Sequence, residues 1–292
     1  MSHAVPVGKP SRAEEINHVG AMLLNKNEFE PARLHFLGAL MLEPQNVNAL
    51  QNLGACLRQL GHDAASEIVA KRSVAASGGA NPFCISNLGV AQFKLKKYEE
   101  AIASLEKALE MLPESGPQHH NLGLVHYILG NYERALALFN TSLSLKYADQ
   151  AASDRSLTLL SLGRIAEGLE AYEARWKLLK KTSIWEMGIP EWQGEGLDGC
   201  RLLVHHEQGF GDSIMLARFV RSLAKYKVSI TLVVPEPLRT LFQRSFPFCR
   251  VLDLNGELPE ANSFDYHTPM LSLMRWVGIK QPKEISASLM ST

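Results

Sequence analysis

Four glycines recur at nearly constant spacing through the first half of the chain, and they constrain its fold more than any other feature. Gly20, Gly54, Gly89 and Gly123 lie 34, 35 and 34 residues apart, and an apolar residue precedes each of them. Spacing of this length is typical of a solenoid, in which each helical unit buries its apolar face against its neighbours. The sequence therefore predicts a stack of similar helical units.

Two further positions accompany each glycine. Twelve residues after it comes a small residue and four residues later an apolar one, in the pairs Ala32 and Phe36, Ser66 and Ala70, Ala101 and Leu105, and Ala135 and Phe139. Small residues let two helices cross closely, and larger side chains fill the space beside the crossing. This pattern resembles the tetratricopeptide repeat. The resemblance implies an α-solenoid of about five helix pairs over residues 13–181, after a flexible N-terminus over residues 1–12.

Two units depart from the pattern. The second has Ser66, Ala70, Ser73 and Gly78 where larger or consensus residues are usual, which indicates a weaker and more flexible unit. The fifth, from about residue 150 to residue 181, is degenerate and ends in the basic residues Lys177, Lys180 and Lys181. Basic residues at a helix C-terminus complement the helix dipole, and an atypical last unit is expected of a capping repeat.

Three units share the tripeptide Asn-Leu-Gly, which places Asn52, Asn87 and Asn121 at equivalent positions, whereas His18 and Asp154 stand there in the first and fifth units. A carboxamide both donates and accepts hydrogen bonds, so each Asn could pair with a peptide unit of a bound chain. The series resembles the asparagine ladder of eukaryotic protein O-linked N-acetylglucosamine transferase, which implies a peptide or protein in the groove. The alternative is that these asparagines are polar residues on a solvated helix face.

The pattern changes after residue 181. Residues 182–200 are rich in Gly and Pro and are interpreted as a linker. Residues 201–292 then alternate between strand and helix, with strands predicted at 201–205, 228–234, 250–254 and 264–268, and helices at 213–225, 235–244 and 269–277. Such alternation predicts a parallel sheet with right-handed crossovers. The predicted fold class is therefore an α-solenoid followed by a partial α/β Rossmann-like parallel sheet.

The loop after the first strand is the best-placed candidate for chemistry, because ligands approach the carboxyl ends of parallel strands. It contains Gln208, Gly209, Gly211 and Asp212. It is not a complete dinucleotide fingerprint, since Ile214 stands where GxGxxG needs its third glycine. A nicotinamide or flavin dehydrogenase is therefore poorly supported.

The segment Glu-Gln-Gly-Phe-Gly-Asp, ending at Asp212, and the segment Phe-Asp-Tyr-His, ending at His267, extend the resemblance. They resemble bacterial tetratricopeptide-repeat glycosyltransferase-like proteins, whose C-terminal part is related to heptosyltransferases of the GT-B fold. The resemblance implies that Asp212 is a candidate general base in an inverting transfer and that His267 is a weak candidate for positioning substrate. The alternatives are an N-cap role for Asp212 and a structural role for His267. His205 and His206 receive no role.

The resemblance also implies limits on activity. The family binds its donor mainly in a second Rossmann-like domain, and residues 201–292 are too few to supply it. We therefore expect a peptide-binding scaffold joined to an incomplete, inactive glycosyltransferase-like domain with no cofactor. The alternative is the acceptor-recruiting portion of an inverting glycosyltransferase that uses a nucleotide sugar in a longer protein. Open sheet edges also leave self-association as an option.

Composition excludes several other classes. The 30 basic and 30 acidic residues balance, which argues against nucleic acid as a partner. The start of the chain lacks the apolar core of a signal peptide, and no apolar run is long enough for a membrane helix. The four cysteines, Cys56, Cys84, Cys200 and Cys249, are widely spaced and match neither a zinc site nor a disulfide framework. A cytoplasmic protein without membrane insertion is the resulting prediction.

Overall fold

The computed structural model describes residues 10–145, 149–177 and 183–277. Contacts divide the chain into two compact units, Met1–Tyr147 and Ala148–Thr292. Most of the predicted flexible N-terminus lies outside the described residues, as do Lys180 and Lys181. Each unit is described in turn.

The first unit consists, over its described residues, of helical hairpins in which consecutive helices pack together. Its helices are α1 (Arg12–Asn25), α2 (Phe29–Leu42), α3 (Val47–Gln59), α4 (Asp63–Ala76), α5 (Pro82–Lys94), α6 (Tyr98–Met111), α7 (Gly116–Ile128) and α8 (Tyr132–Ser144). The closest contacts are within the pairs α1–α2, α3–α4, α5–α6 and α7–α8, and each pair also contacts the next. The predicted solenoid of stacked helix pairs is therefore confirmed for these four units.

Local sequence specifies where several of these helices begin. The Ser11 hydroxyl accepts a hydrogen bond from the Glu14 N–H, and the Glu14 carboxylate accepts one from the Ser11 N–H, which together form a capping box before α1. Asn46 caps α3 by accepting from the Ala49 N–H. Asn81 caps α5, whose first residue is Pro82. These caps satisfy backbone donors that have no partner inside the helix.

Three of the four repeat glycines lie where no side chain would fit. A Cβ atom on Gly123 would lie 2.6 Å from Cε1 of Phe139, and the corresponding contacts of Gly20 with Phe36 and of Gly89 with Leu105 are equally short. Gly54 differs, because the place of the large apolar residue is taken by Ala70. A Cβ atom there would meet nothing closer than 3.9 Å. The second repeat is therefore less tightly packed at its helix crossing.

The second unit begins with a helical hairpin and continues into the α/β region. Its helical elements are α9 (Asp149–Ser161), α10 (Ile165–Tyr172), a 3₁₀ helix at Glu173–Lys177, α11 (Ser183–Glu186), α12 (Phe210–Leu216), α13 (Arg218–Arg221), 3₁₀ helices at Ser222–Lys225, Ala261–Ser263 and Met270–Ser272, α14 (Glu236–Ser245) and α15 (Leu273–Trp276). Its strands are β1 (Arg201–His205), β2 (Ser229–Val234), β3 (Arg250–Asp253) and β4 (Tyr266–Pro269).

The four strands form one parallel sheet in the order β3-β2-β1-β4. In register, Leu203 of β1 lies opposite Thr231 of β2 and His267 of β4. The predicted parallel sheet is confirmed. Its order coincides with the first four positions of the doubly wound order 3-2-1-4-5-6, but four strands do not by themselves identify a Rossmann-like fold.

The fifth helix pair packs with the sheet. Ile165 and Leu169 of α10 belong to the same apolar cluster as Leu216 of α12 and Leu271, which follows β4. The prediction assigned this pair to the solenoid, whereas contacts group it with the second unit. The reason is that the apolar face of α10 is buried against the α/β region.

Several predicted elements need correction. The single helix predicted at 213–225 begins earlier, at Phe210, and is divided into α12, α13 and a 3₁₀ turn. The helix predicted at 269–277 is a 3₁₀ turn followed by the short α15. The segment predicted as a linker, residues 182–200, contributes four buried side chains over its described residues, those of Ile184, Ile189, Trp192 and Leu197.

Candidate functional site

The first helices of the repeats form the inner side of the stack in the first unit. Helix α1 contacts α3, α3 contacts α5, and α5 contacts α7, whereas the second helices of successive described pairs meet less closely. In a curved stack, the helices on the concave side lie nearer to one another. The three predicted asparagines are all on these inner helices.

The asparagines have different environments. The Asn52 amide donates a hydrogen bond of 3.0 Å to the Asn17 side-chain oxygen in the preceding repeat. Asn87 and Asn121 are half-buried, and neither side chain makes a hydrogen bond with any residue in the described part of the chain. Asn52 thus belongs to a contact between repeats, and Asn87 and Asn121 retain carboxamides that could bind a ligand.

Apolar side chains flank the two unpaired carboxamides. Phe83 precedes Asn87 by one helical turn and is exposed, and Val90 follows it by three residues. Leu124 follows Asn121 by three residues and is half-buried. Residues three or four apart lie on one helix face. The inner face of α5 and α7 therefore combines hydrogen-bonding amides with apolar surface, which suits a peptide backbone and its side chains.

In the second unit, a buried ion pair lies beside the carboxyl ends of β1 and β4. The Arg175 side chain is 3% exposed and the Glu207 side chain 0% exposed, with 2.9 Å between Nη2 and Oε2. Glu207 Oε1 also accepts a hydrogen bond from the Leu271 N–H. Arg175 donates a further bond to Ser272. The sequence-based site did not include this cluster.

Burial has the largest effect on the pKa of Glu207. Removal of its carboxylate from water raises its pKa to about 7, although the charge and hydrogen bonds of Arg175 act in the opposite direction. Glu173 lies 3.0 Å from Arg175 and its negative charge adds slightly to the increase. The cluster holds the loop after β1, the segment after α10 and the segment after β4 together.

This ion pair lies at the carboxyl ends of β1 and β4, and doubly wound sheets bind ligands at the carboxyl ends of their strands. In such sheets the crevice opens where adjacent strands lead to opposite sides, which for the order 3-2-1-4 is between β1 and β4. Here Glu207 follows β1, Leu271 follows β4, and the Arg175 guanidinium is bonded to the segments that carry both. The charges of Arg175 and Glu207 therefore compensate each other within the second unit.

Asp212 lies at the start of α12, but not as its N-cap. The N-cap is Gly209, and Asp212 is the third helical residue, whose Oδ2 accepts a hydrogen bond of 3.1 Å from the Gly209 N–H. The alternative role predicted for Asp212 is therefore corrected: its carboxylate accepts from the N-cap N–H, which is one half of a capping box, and glycine has no side chain to supply the other half. The correction arises because the helix begins three residues earlier than its predicted start.

Asp212 also borders a cavity of about 380 Å³, lined mainly by apolar residues of α9, α10, α12 and the segment after β4. Tyr172 and Arg218 are its other polar lining residues. Gln208 donates a hydrogen bond of 3.2 Å to the Tyr172 hydroxyl, so this predicted loop residue fixes a wall of the cavity. Gly209, the N-cap of α12, and Gly211, which was predicted in the loop but lies in the first turn of α12, are both exposed.

The histidines of the sheet are buried. His267 lies within β4, not after it, and is 1% exposed. Its Nδ1 is 3.1 Å from Nε2 of His205. The pKa of His205 is lowered to about 3, mainly because the ring is buried and secondly because His267 lies beside it. His206 Nδ1 is 2.6 Å from the Ser213 hydroxyl. The predicted role of His267 in positioning substrate stays a prediction, although its ring does not face solvent.

Among the described residues, no group of three or more His, Cys, Asp or Glu is arranged to hold a metal ion. Within the same ranges, no helix has the length and apolar character needed to cross a membrane.

Comparisons with known proteins agree with the repeat architecture. Residues 83–148 match a tetratricopeptide-repeat family model. The chain is 27% identical over 249 residues to protein FlbA of Caulobacter vibrioides, an alignment that covers 82% of this chain and 41% of FlbA. This chain thus spans less than half the length of that curated relative.

Two solved structures share the fold. A thermophilic tetratricopeptide-repeat protein of Thermus thermophilus, TTC0263, aligns with a TM-score of 0.52 and 24% identity, over 56% of this chain and 90% of that one. Pseudomonas aeruginosa pilF aligns with a TM-score of 0.51 and 20% identity, over 60% of this chain and 80% of that one. These likenesses concern the fold alone.

Proposed function

We propose that this tetratricopeptide-repeat protein binds an extended segment of a partner protein along the inner helices of its first unit. Tetratricopeptide repeats are protein-interaction scaffolds, and the four hairpins provide such a scaffold. The observation that carries the proposal is that Asn87 and Asn121, at equivalent positions of α5 and α7, have no hydrogen-bonding partner among the described residues.

The spacing of the carboxamides suits an extended backbone. Packed helices lie roughly 8–10 Å apart, and an extended chain advances roughly 3.3–3.6 Å per residue. Carboxamides on adjacent inner helices would therefore meet the peptide about every third residue. Each can donate to a carbonyl and accept from an N–H, so the recognised group is the peptide unit, whatever the side chains are.

The apolar residues beside the carboxamides supply the remaining affinity. Phe83 is exposed, and Val90 and Leu124 are partly so. Apolar side chains of a bound segment would remove this surface from water, which stabilises the complex by about 25 cal/mol per Å² buried. We propose a partner segment with apolar residues spaced along an otherwise flexible chain.

The experiment compares an inner and an outer substitution. Peptides selected on the wild-type chain should bind the Asn87→Ala/Asn121→Ala variant about thirtyfold more weakly, because the loss of one hydrogen bond of about 1 kcal/mol at each carboxamide costs about 2 kcal/mol together. Asn140→Ala, on the second helix α8, is the matched control and should keep the affinity. An unchanged affinity of the double variant in fluorescence anisotropy would remove the proposal.

A second candidate function is acceptor recruitment in an inverting glycosyl transfer. The strand order β3-β2-β1-β4 and the position of Asp212 beside a cavity support it. The Arg175–Glu207 pair opposes donor binding in this chain, because it occupies the crevice between β1 and β4. We expect no change in melting temperature with a millimolar nucleoside diphosphate, and a concentration-dependent rise would favour the enzyme instead.

A further inference from the structure

A second cavity lies on the helical surface of the second unit, next to the one beside Asp212, and the two share Arg218 as a lining residue. It has a volume of about 240 Å³ and lies between α12–α13 and α14. Its lining residues are Ile214, Ala217, Arg218, Arg221, Leu241, Phe242, Ser245 and Phe246. We call this surface the α12–α14 groove.

The groove exposes apolar side chains. Ile214 is 51% exposed on one wall and Leu241 46% exposed on the other, with the buried Phe242 and Phe246 at its base. Small-molecule sites usually have volumes of about 300–1,000 Å³, so this groove is small for a complete organic ligand. Its volume fits one large apolar side chain inserted from a partner.

The charged residues that line the groove are all basic. Its lining includes Arg218 and Arg221 and no carboxylate. Neither arginine forms an ion pair with any residue in the described ranges, and Arg218 Nε is buried without a hydrogen-bond partner there. An unpaired guanidinium at the rim of an apolar groove favours a ligand that carries a carboxylate.

Each guanidinium group lies over an aromatic ring. The Arg218 guanidinium carbon is 4.9 Å from the centre of the Phe219 ring, and that of Arg221 is 5.8 Å from the centre of the Phe246 ring. A guanidinium positioned by an aromatic ring loses less side-chain entropy when it forms a bidentate pair. The two arginines are three residues apart on α13, so they present two neighbouring guanidinium groups to the carboxylates of a bound segment.

We propose that the α12–α14 groove binds an acidic protein segment in which a large apolar side chain is flanked by Asp or Glu. The apolar side chain enters the space between Ile214 and Leu241, and the acidic residues pair with Arg218 and Arg221. This interaction is distinct from the repeat groove, since it recognises charge and one anchor residue instead of peptide units.

The test uses the complete chain and a fluorescein-labelled peptide in which a Phe-Leu pair is flanked on each side by three acidic residues. Wild-type protein should bind this peptide, and added salt should weaken the binding. The Arg218→Ala/Arg221→Ala variant should bind at least about tenfold more weakly, because hydrogen bonds to charged groups contribute about 1.5–3 kcal/mol each. Arg239→Ala, an exposed arginine of α14 outside the groove, should bind as the wild type does.

Further variants and peptides separate the alternatives. Leu241→Ser removes an exposed side chain, so the fold should persist and binding should still weaken. Equal binding of a peptide with lysines in place of the acidic residues would overturn the proposal, as would displacement by millimolar phosphate alone. Loss of binding in Asn87→Ala/Asn121→Ala would place the peptide in the repeat groove. Dimers of the free chain that Leu241→Ser dissociates would identify the occupant as a second copy. Either result would refute the proposal.

Discussion

Arg175 Nη2 and Glu207 Oε2 lie 2.9 Å apart, and both side chains are withdrawn from solvent. This pair joins the 3₁₀ turn after α10 to the loop after β1, which leads into the helix that carries Asp212. The position of that loop therefore depends on the helical hairpin α9–α10. A hairpin that resembles the last repeat of a solenoid serves as a packing element of the α/β region.

We expect the loss of this pair to destabilise the second unit strongly. Removal of one partner of a buried ion pair costs about 3–5 kcal/mol. For Arg175→Met we expect about 3 kcal/mol, because Glu207 can take up a proton when the guanidinium is absent. The four tryptophans of the chain all lie in the second unit, so their fluorescence during urea unfolding measures the stability of that unit.

The matched control is Arg201→Met. Arg201 also pairs with a carboxylate, that of Asp265 at 2.8 Å, but both side chains are exposed. Water screens an exposed ion pair, so this variant should unfold at nearly the wild-type urea concentration. Equal losses for the two variants would show that burial does not decide the strength of the Arg175 pair.

Stability should depend on pH through Glu207. Its pKa is raised to about 7 in the folded chain, so between its unfolded value of 4.5 and about 7 the folded state binds a proton that the unfolded state has released. The contribution of this group is therefore fully present below the unfolded pKa and decreases as the pH rises toward about 7. Glu207→Gln removes this dependence.

The measurement is urea unfolding of the wild type and of Glu207→Gln at about pH 5 and about pH 7.5. The stability of the wild type relative to the variant should be larger at the lower pH. Other titrating groups contribute equally to both chains and cancel in the comparison. A relative stability that is constant, or that increases with pH, would show that Arg175 keeps Glu207 ionised throughout.

The repeat architecture could be predicted because local sequence determines it. The glycine spacing, the small residue twelve positions later and the apolar residue after that all act within one hairpin or between neighbours. The same reasoning identified the second repeat as weak, and the open space at Gly54 agrees with it. The parallel strands were predicted for the same reason, since their apolar runs alternate with helical segments.

The buried ion pair could not be predicted in this way. Arg175 and Glu207 are 32 residues apart and meet only because the α9–α10 hairpin packs on the α/β region. Two signals were present in the sequence: an arginine between Tyr172 and Trp176, and a glutamate just after a buried strand. The position of Asp212 was misjudged by three residues because the glycines before it made the start of the helix hard to place.

The repeat glycines should respond unequally to alanine. Gly123→Ala would place a Cβ atom 2.6 Å from Phe139, and such overpacking costs about 1–3 kcal/mol. Gly54→Ala meets no atom closer than 3.9 Å, so the higher helix propensity of alanine should stabilise that variant by up to about 1 kcal/mol. Circular dichroism during urea unfolding measures the stability of both variants. Equal destabilisation of the two would contradict the difference in packing.

The central claim is that a partner segment lies along the inner helices of the first unit. The most direct test of this claim is backbone amide hydrogen exchange, measured with and without a peptide selected for binding to the wild-type chain. The account predicts that the bound peptide slows exchange in α3, α5 and α7, most of all around Asn87 and Asn121, and leaves the second helices α4, α6 and α8 unchanged. Protection confined to those second helices, or to the unit that follows, would contradict it.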